Sequence, residues 1–284
     1  DGDGYDDVLI GLPDWEDGET GEGAVRLYCG SPTGPDTLPC WTWQADEAGA
    51  GATAGRRVGD VDGDGFADVA VVAPGWDGSL GDEGAALFFL GSAAGPSDVP
   101  SVILLGGEAG AALSAVAGVG DVDGDGTSDV VTGSPSWDGG LSGQGRARLH
   151  LGGLGGPDPT ATWQAVGGQG AAGFGTDVAG AGDVDGDGRP DLVVSAPGWD
   201  GTETDEGRAL VYLGTGAGLR STPAWAWAPG LAGAALDRVA GAGDLDGDGY
   251  GELLVAAPQA DDGASAQGRA WLFAGTPTGP STSP

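Results

Sequence analysis

Residues 183–197 read DVDGDGRPDLVVSAP, an acidic turn running straight into a strand of Leu, Val and small residues. The same join recurs as DGDGYDDVLIGLP from Asp1, DVDGDGFADVAVVAP from Asp60, DVDGDGTSDVVTGSP from Asp121 and DLDGDGYGELLVAAP from Asp244. The matching aspartates Asp1, Asp62, Asp123, Asp185 and Asp246 stand 61, 61, 62 and 61 residues apart. A fixed period of this length marks one structural unit used five times. The units run approximately over 1–49, 50–110, 111–172, 173–233 and 234–284.

The fourth unit shows the content of each repeat most plainly. VAGAGDV ends a first strand and enters the acidic turn, DLVVSAP is a second, GRALVYLG a third and PAWAWA a fourth. Gly, Pro and Asp separate these short Val-, Leu- and aromatic-rich runs, and no segment holds a helical period. Four antiparallel strands per unit predict an all-β fold, a β-propeller of four-stranded blades. The first unit begins at its acidic turn without a first strand, and the fifth stops after its third. The expectation is therefore about five blades, the first and last incomplete, forming an arc cut from a larger propeller.

The acidic turns have the chemistry of a calcium site. Ca²⁺ takes six to eight oxygens. Carboxylates at turn positions 1, 3 and 5, a backbone carbonyl at 7 and a carboxylate at 9 supply them. The residues are Asp60, Asp62, Asp64, Phe66 and Asp68; Asp121, Asp123, Asp125, Thr127 and Asp129; Asp183, Asp185, Asp187, Arg189 and Asp191; Asp244, Asp246, Asp248, Tyr250 and Glu252. The first turn offers only Asp1, Asp3, Tyr5 and Asp7. An EF-hand begins the same way but needs Glu at position 12, and Val71, Thr132, Val194 and Val255 stand there. The alternative, a merely solvated acidic turn, leaves four carboxylates repelling one another in nine residues, four times over.

The 284 residues carry 43 acidic side chains against ten arginines and a formal charge of −33. Such a field excludes nucleic acid and anionic membrane as partners, while 39% hydrophobic residues in regular runs argue against disorder. No apolar run approaches the length of a membrane-spanning helix. Cys29 and Cys40 flank the link between third and fourth strands of the first unit and are expected to pair, as an oxidising exterior allows. His150, the only histidine, stands where the other third strands carry Tyr28, Phe89, Tyr212 and Phe273, so a structural aromatic position explains it better than catalysis. With no second histidine a Ser-His pair is excluded, and the chain reads as non-enzymatic.

Trp15, Trp76, Trp137 and Trp199 recur in the hairpins between second and third strands, with Ala260 in the fifth place. They read as plugs packing between blades, or as a rim for stacking sugars. Trp41, Trp43, Trp163, Trp225 and Trp227 fall in fourth strands.

The stretch FGTDVAGAGDVDGDGRPDLVVSAP from Phe174, with its trailing GRALVYLG, resembles the FG-GAP repeats of the integrin α-subunit propeller and, more closely, their bacterial relatives. The naming Phe-Gly pair survives only at Phe174-Gly175, with Ala112-Leu113 and Ala235-Leu236 in the equivalent places. The resemblance implies a seven-bladed ring, loops that bind calcium structurally, and membership among adhesive surface proteins. It makes the expected role a calcium-binding extracellular module for adhesion or for a protein or glycan ligand. The alternatives are a structural or targeting module of a secreted enzyme, or a lectin using the Trp rim. No Arg-Gly-Asp tripeptide is present.

Overall fold

A computed structural model describes residues 2–55, 57–261 and 267–284. Its strands fall into five antiparallel sheets that follow the repeat. The first holds β1 (Val8–Leu12), β2 (Ala24–Tyr28) and β3 (Trp41–Gln44). The second holds β4 (Thr53–Ala54), β5 (Val69–Ala73), β6 (Ala85–Phe89) and β7 (Val102–Leu105). The third is β8 (Ala115–Gly120), β9 (Asp129–Ser134), β10 (Arg146–His150) and β11 (Trp163–Val166). The fourth is β12 (Val178–Gly182), β13 (Asp191–Ala196), β14 (Arg208–Tyr212) and β15 (Trp225–Trp227), and the fifth is β16 (Arg238–Gly243), β17 (Glu252–Ala257) and β18 (Arg269–Phe273). Each sheet pairs its strands in chain order, as a propeller blade does. Among the described residues there is no helix, and so none long and apolar enough to cross a membrane.

Strand alternation assigns each blade two faces, and each face enters a different core. Val71 and Leu87 join Val25, Leu27 and Trp41 of the first blade. Their neighbours Ala70, Val72, Ala86 and Phe88 join Val116 and Val130 of the third. A third core links Val131 and Leu149 with Leu192, Val194 and Leu210, and a fourth links Val193 and Val211 with Leu253 and Val255. Four seams thus hold five blades in order. Among the described residues no core joins the fifth blade to the first, and the blades form an open arc.

The first strands approach one another too closely for side chains. A Cβ on Gly180 would lie 3.0 Å from the Gly118 carbonyl oxygen, and one on Gly241 2.7 Å from that of Gly180. The AGxG runs at these positions also carry the register shifts where β8, β12 and β16 leave their partners. In the second blade, where Arg57 and Val58 replace that run, the first strand is only the two residues of β4.

A parallel backbone bridge also crosses each seam, Gly23 to Ala52, Gly84 to Leu113, Gly145 to Phe174 and Gly207 to Leu236. These bridges correct the alignment of the Phe-Gly pair by one residue. Leu113-Ser114 and Leu236-Asp237 match Phe174-Gly175, not Ala112-Leu113 and Ala235-Leu236, and Ala52 fills the place in the second unit. What the position conserves physically is a fully buried apolar side chain, and Ala52, Leu113, Phe174 and Leu236 are each 0% exposed.

Cys29 and Cys40 are bonded, with Cα atoms 5.9 Å apart and a sequence separation of 11. Closing so short a loop contributes about 2–3 kcal/mol in the chain-entropy model. Reduction is expected to loosen the first blade, which has three strands, and to leave the seams between later blades intact. Hydrogen exchange on oxidised and reduced protein checks this, with thiol labelling confirming the redox state; an equal loss of protection in the fourth blade would refute it.

Candidate metal centres

The acidic loops of the second to fifth units join the first strand of a blade to its second, the first unit's leads into its second, and each Trp-bearing hairpin joins the second to the third. The two sets therefore lie at opposite ends of the sheets.

Within a loop the carboxylates are held by backbone N–H groups. In the second unit Asp60 accepts from Gly63 (2.7 Å), Asp64 (3.1 Å) and Gly65 (2.8 Å). Asp62 accepts from Asp64 at 3.2 Å, and Asp64 from Phe66 at 2.9 Å. Gly63 and Gly65 make the turn at φ of 79° and 95°, backbone that only glycine adopts freely. The position-7 residues keep one role throughout: Tyr5, Phe66, Thr127, Arg189 and Tyr250 each donate a backbone N–H to the position-5 carboxylate of their own loop.

Position 9 is different, because it is buried and reaches two strands. Asp68 accepts from Val61 within the loop and from Gly91 beyond the third strand, both at 2.7 Å. Asp129 does the same with Val122 and Gly152, and Asp191 with Val184 and Gly214, all at 2.8 Å. Glu252 bonds Leu245 and Gly275, and Asp7 bonds Gly30. Burial pushes the carboxyls of Asp68 and Asp129 up to about 6 and that of Asp191 to about 7, against the pull of these N–H groups. Asp62 and Asp185 are raised as well, chiefly by desolvation. Asp125 is lowered, first by the Thr127 hydroxyl.

Ligand oxygens converge within 4.8 Å of one another in four loops. The sets are Asp60, Asp62 and Asp68; Asp121, Asp123 and Asp129; Asp183, Asp185 and Asp191; and Asp244, Asp246 and Asp248. Asp64, Asp125 and Asp187 stand outside the first three sets, and Glu252 outside the last. In the first loop Asp3, Tyr5 and Asp7 take the repeated positions, while Asp1 lies outside the described residues.

Every donor in these sets is a hard carboxylate oxygen, the choice of Ca²⁺ over softer metals. A doubly positive ion would also relieve the charge that burial disfavours at position 9.

The rim tryptophans are half-buried, and three have an arginine over the ring. Arg26 lies 4.4 Å from the Trp15 centroid, Arg146 4.4 Å from Trp137 and Arg208 3.6 Å from Trp199. Arg146 and Arg208 also donate to the carbonyls of Gly106 and Gly167 in the preceding blade. Trp76 and Trp199 pack against the seams between first and second and between third and fourth blades. The plug reading accounts for these contacts, and the stacked guanidiniums take up ring faces that sugar stacking would need.

The fourth-strand tryptophans form latches that were not foreseen from sequence. Trp41 donates its indole N–H to Ser97 O (3.2 Å), Trp163 to Arg220 O (2.9 Å) and Trp225 to Ser281 O (3.1 Å), each time in the next blade. Each ring meets the third-strand aromatic there, Phe89, Tyr212 or Phe273, edge-on at 5.2, 4.9 and 5.1 Å. The remaining seam has Val102 in the Trp place and His150 in the aromatic place. His150 is 0% exposed, and its Nδ1 lies 2.8 Å from Asp158 O, the carbonyl matching Ser97, Arg220 and Ser281. Burial lowers its pKa to about 4, so the ring is neutral with Nδ1 as donor. The histidine supplies the N–H that the missing tryptophan does not.

The family model for the FG-GAP repeat matches residues 57–89, 113–150, 174–212 and 238–273, together just over half the chain. Integrin alpha-PS2 of Drosophila melanogaster is 39% identical over 112 residues, 37% of this chain and 8% of the relative. Human integrin alpha-IIb is 36% identical over 149 residues, 48% of this chain and 14% of the relative. Integrin alpha-5 of Xenopus laevis is 29% identical over 220 residues, 74% of this chain and 20% of the relative. The chain thus spans a fifth or less of the length of these relatives. Among solved structures, the rhamnogalacturonan lyase YesW superposes with a TM-score of 0.46 at 15% identity, covering 94% of this chain and 55% of the lyase. The exotype lyase YesX gives 0.45 at 16%, covering 87% and 51%.

Proposed function

Because the chain belongs to the FG-GAP repeat family, we propose that it is a calcium-stabilised, non-catalytic propeller module that works outside the cell, in adhesion or in binding a protein or glycan ligand. The observation that carries the calcium part is the convergence of carboxylates in four successive loops, with a buried position-9 acid in each. Asp60, Asp62 and Asp68, their counterparts in the third and fourth units, and Asp244, Asp246 and Asp248 in the fifth would hold the ion, and in the first three of these loops it would supply the positive charge that lets the buried acid stay ionised. Position 9 ties the loop to the end of the third strand, so filling the loop would stiffen the blade and not the loop alone.

The non-catalytic part rests on how the titratable groups are employed. His150 is a donor inside a seam, and the position-9 acids are held by backbone N–H groups. A disulfide and oxygen-only loops both suit an oxidising, calcium-rich exterior. The integrin kinship points the same way. Calorimetric titration with Ca²⁺ tests the metal reading. A hydrolytic activity of the purified chain that disappears with His150→Phe would defeat the non-catalytic one.

A further inference from the structure

The blades are copies of one another, so a place where several repeat rules fail together is informative. At the seam between second and third blades two backbone bonds reach the acidic loop of the second blade, one from the acidic loop of the third and one from the connection after its third strand. Ser128 N–H donates to Asp60 O at 2.7 Å, and Gly153 N–H to Val61 O at 2.8 Å. The seam between fourth and fifth blades repeats both, Gly251 to Asp183 O at 2.6 Å and Thr276 to Val184 O at 3.1 Å. At both seams the position-7 side chain also covers the position-4 glycine of the preceding loop. A Cβ on Gly63 would lie 3.2 Å from Thr127, and one on Gly186 2.5 Å from Tyr250.

Between third and fourth blades all three rules fail. The residue matching Ser128 and Gly251 is Pro190, which has no N–H. Thr215, matching Gly153 and Thr276, donates instead to Gly218 O at 2.9 Å, in a loop where Leu219 replaces the proline of the other units (Pro35, Pro96, Pro157, Pro280). Arg189 turns to Asp187 at 3.3 Å and lies against Gly216, and a Cβ on Gly124 would meet nothing within 4 Å. What remains is a cleft of ≈ 370 Å³ whose walls include Asp121, Val122, Asp123, Asp187, Arg189 and Gly216. Among the described residues no N–H donates to Asp121 O or Val122 O, the carbonyls that accept across the other two seams.

We propose that this cleft receives a cationic hydrogen-bond donor, the guanidinium or ammonium head of an arginine or lysine on a partner polypeptide. Its walls offer acceptors: two carbonyls without a protein donor, and the carboxylates of Asp123 and Asp187. The one cation there, Arg189, is already matched by Asp187. An anionic ligand would face three aspartates. A divalent ion in each flanking loop would still leave four carboxylates per loop against two charges, and the −33 field of the chain draws cations toward it. This deepens the ligand-binding reading and rests on it, but not on calcium alone.

The test uses the full chain in saturating calcium, titrated with N-acetyl-arginine methylamide and its lysine counterpart. Backbone amide shifts of Gly124, Gly188 and Gly216 are followed. The uncharged citrulline compound and a methyl glycoside serve as comparisons. The expected result is shifts confined to this cleft, with the cationic probes binding at least tenfold more tightly than citrulline or the glycoside. Pro190→Ser restores the N–H that Ser128 supplies elsewhere and is expected to weaken binding at least tenfold. Adding Leu219→Pro to return the Thr215 loop to the common form is expected to weaken it further. Equal binding by citrulline or the glycoside, shifts spread evenly over the other acidic loops, or undiminished affinity in both variants would overturn the proposal. Calcium stoichiometry read on the same unsubstituted sample fails or holds separately, so loss of the metal reading is distinguishable from loss of the cleft.

Discussion

Removing calcium with a chelator is expected to lower the unfolding temperature by tens of degrees. A ligand that binds only the folded form stabilises it by about 2.7 kcal/mol when its concentration is a hundredfold above Kd. Four loops of that kind contribute about 10 kcal/mol together, comparable with the whole stability of an ordinary domain. The affinity expected of an extracellular module is on the order of 10⁻⁴–10⁻³ M, so a hundredfold excess means about 10–100 mM calcium, and near 1 mM the four loops together contribute only about 2–6 kcal/mol. Titration calorimetry is expected to count four ions. Asp185→Asn removes one converging carboxylate from the fourth loop without touching the buried Asp191, and the count is expected to fall by one. An unchanged melting temperature in chelator, or no heat of binding, would sink the calcium reading and leave the blades untouched.

The blades were legible because two signals agree in every unit. Acidic turns mark where the first strand gives way to the second, and the short Val- and Leu-rich runs after them read as strands buried on both faces, as DLVVSA is in β13. The loop ligands were legible for the same reason, since their spacing is local. What could not be read is anything that depends on which residues of two blades face each other. The Phe-Gly pair was displaced by one because Ala112 and Ala235 hold positive φ where Gly173 does, and their identity gives no hint of it. Asp64, Asp125 and Asp187 stand outside the converging sets and Asp248 inside its own, although all four accept the same position-7 N–H, and the loop spacing, identical in each, does not reveal the difference. A signal for the open seam was present: Leu219 stands where the other four units have proline, and Pro190 is the one proline at its place in the loops. It acquires meaning only once the bonds across the other seams are known.

His150 poses the same problem in its sharpest form, and it yields the second large expected effect. His150→Ala would delete a fully buried ring and strand the Asp158 carbonyl, a loss of roughly 3–5 kcal/mol. His150→Phe keeps the volume and imitates Phe89 and Phe273, but Phe has no N–H, so about 1–3 kcal/mol is still lost from the unpaired acceptor. Adding Val102→Trp to His150→Phe would rebuild the latch of the other three seams, with the new indole donating to Asp158 O. The double variant is expected to recover most of that loss, giving a favourable coupling in a double-mutant cycle.

The pH dependence separates a donor swap from simple packing. The folded-state pKa of His150, about 4, lies below its ordinary value of 6.5. Between those values the unfolded chain binds a proton that the folded chain refuses, so the contribution of His150 to stability is present above pH 6.5 and is lost as pH falls toward 4. Asp68, Asp129 and Asp191, with raised pKa values, act in the opposite direction, and they are common to both proteins, so they cancel in the difference. Denaturant unfolding at pH 7, 5.5 and 4 is therefore expected to show the double variant gaining on the parent as the solution is acidified. A double variant no more stable than His150→Phe, or a gap that stays flat with pH, would mean that the Asp158 carbonyl does not need the histidine.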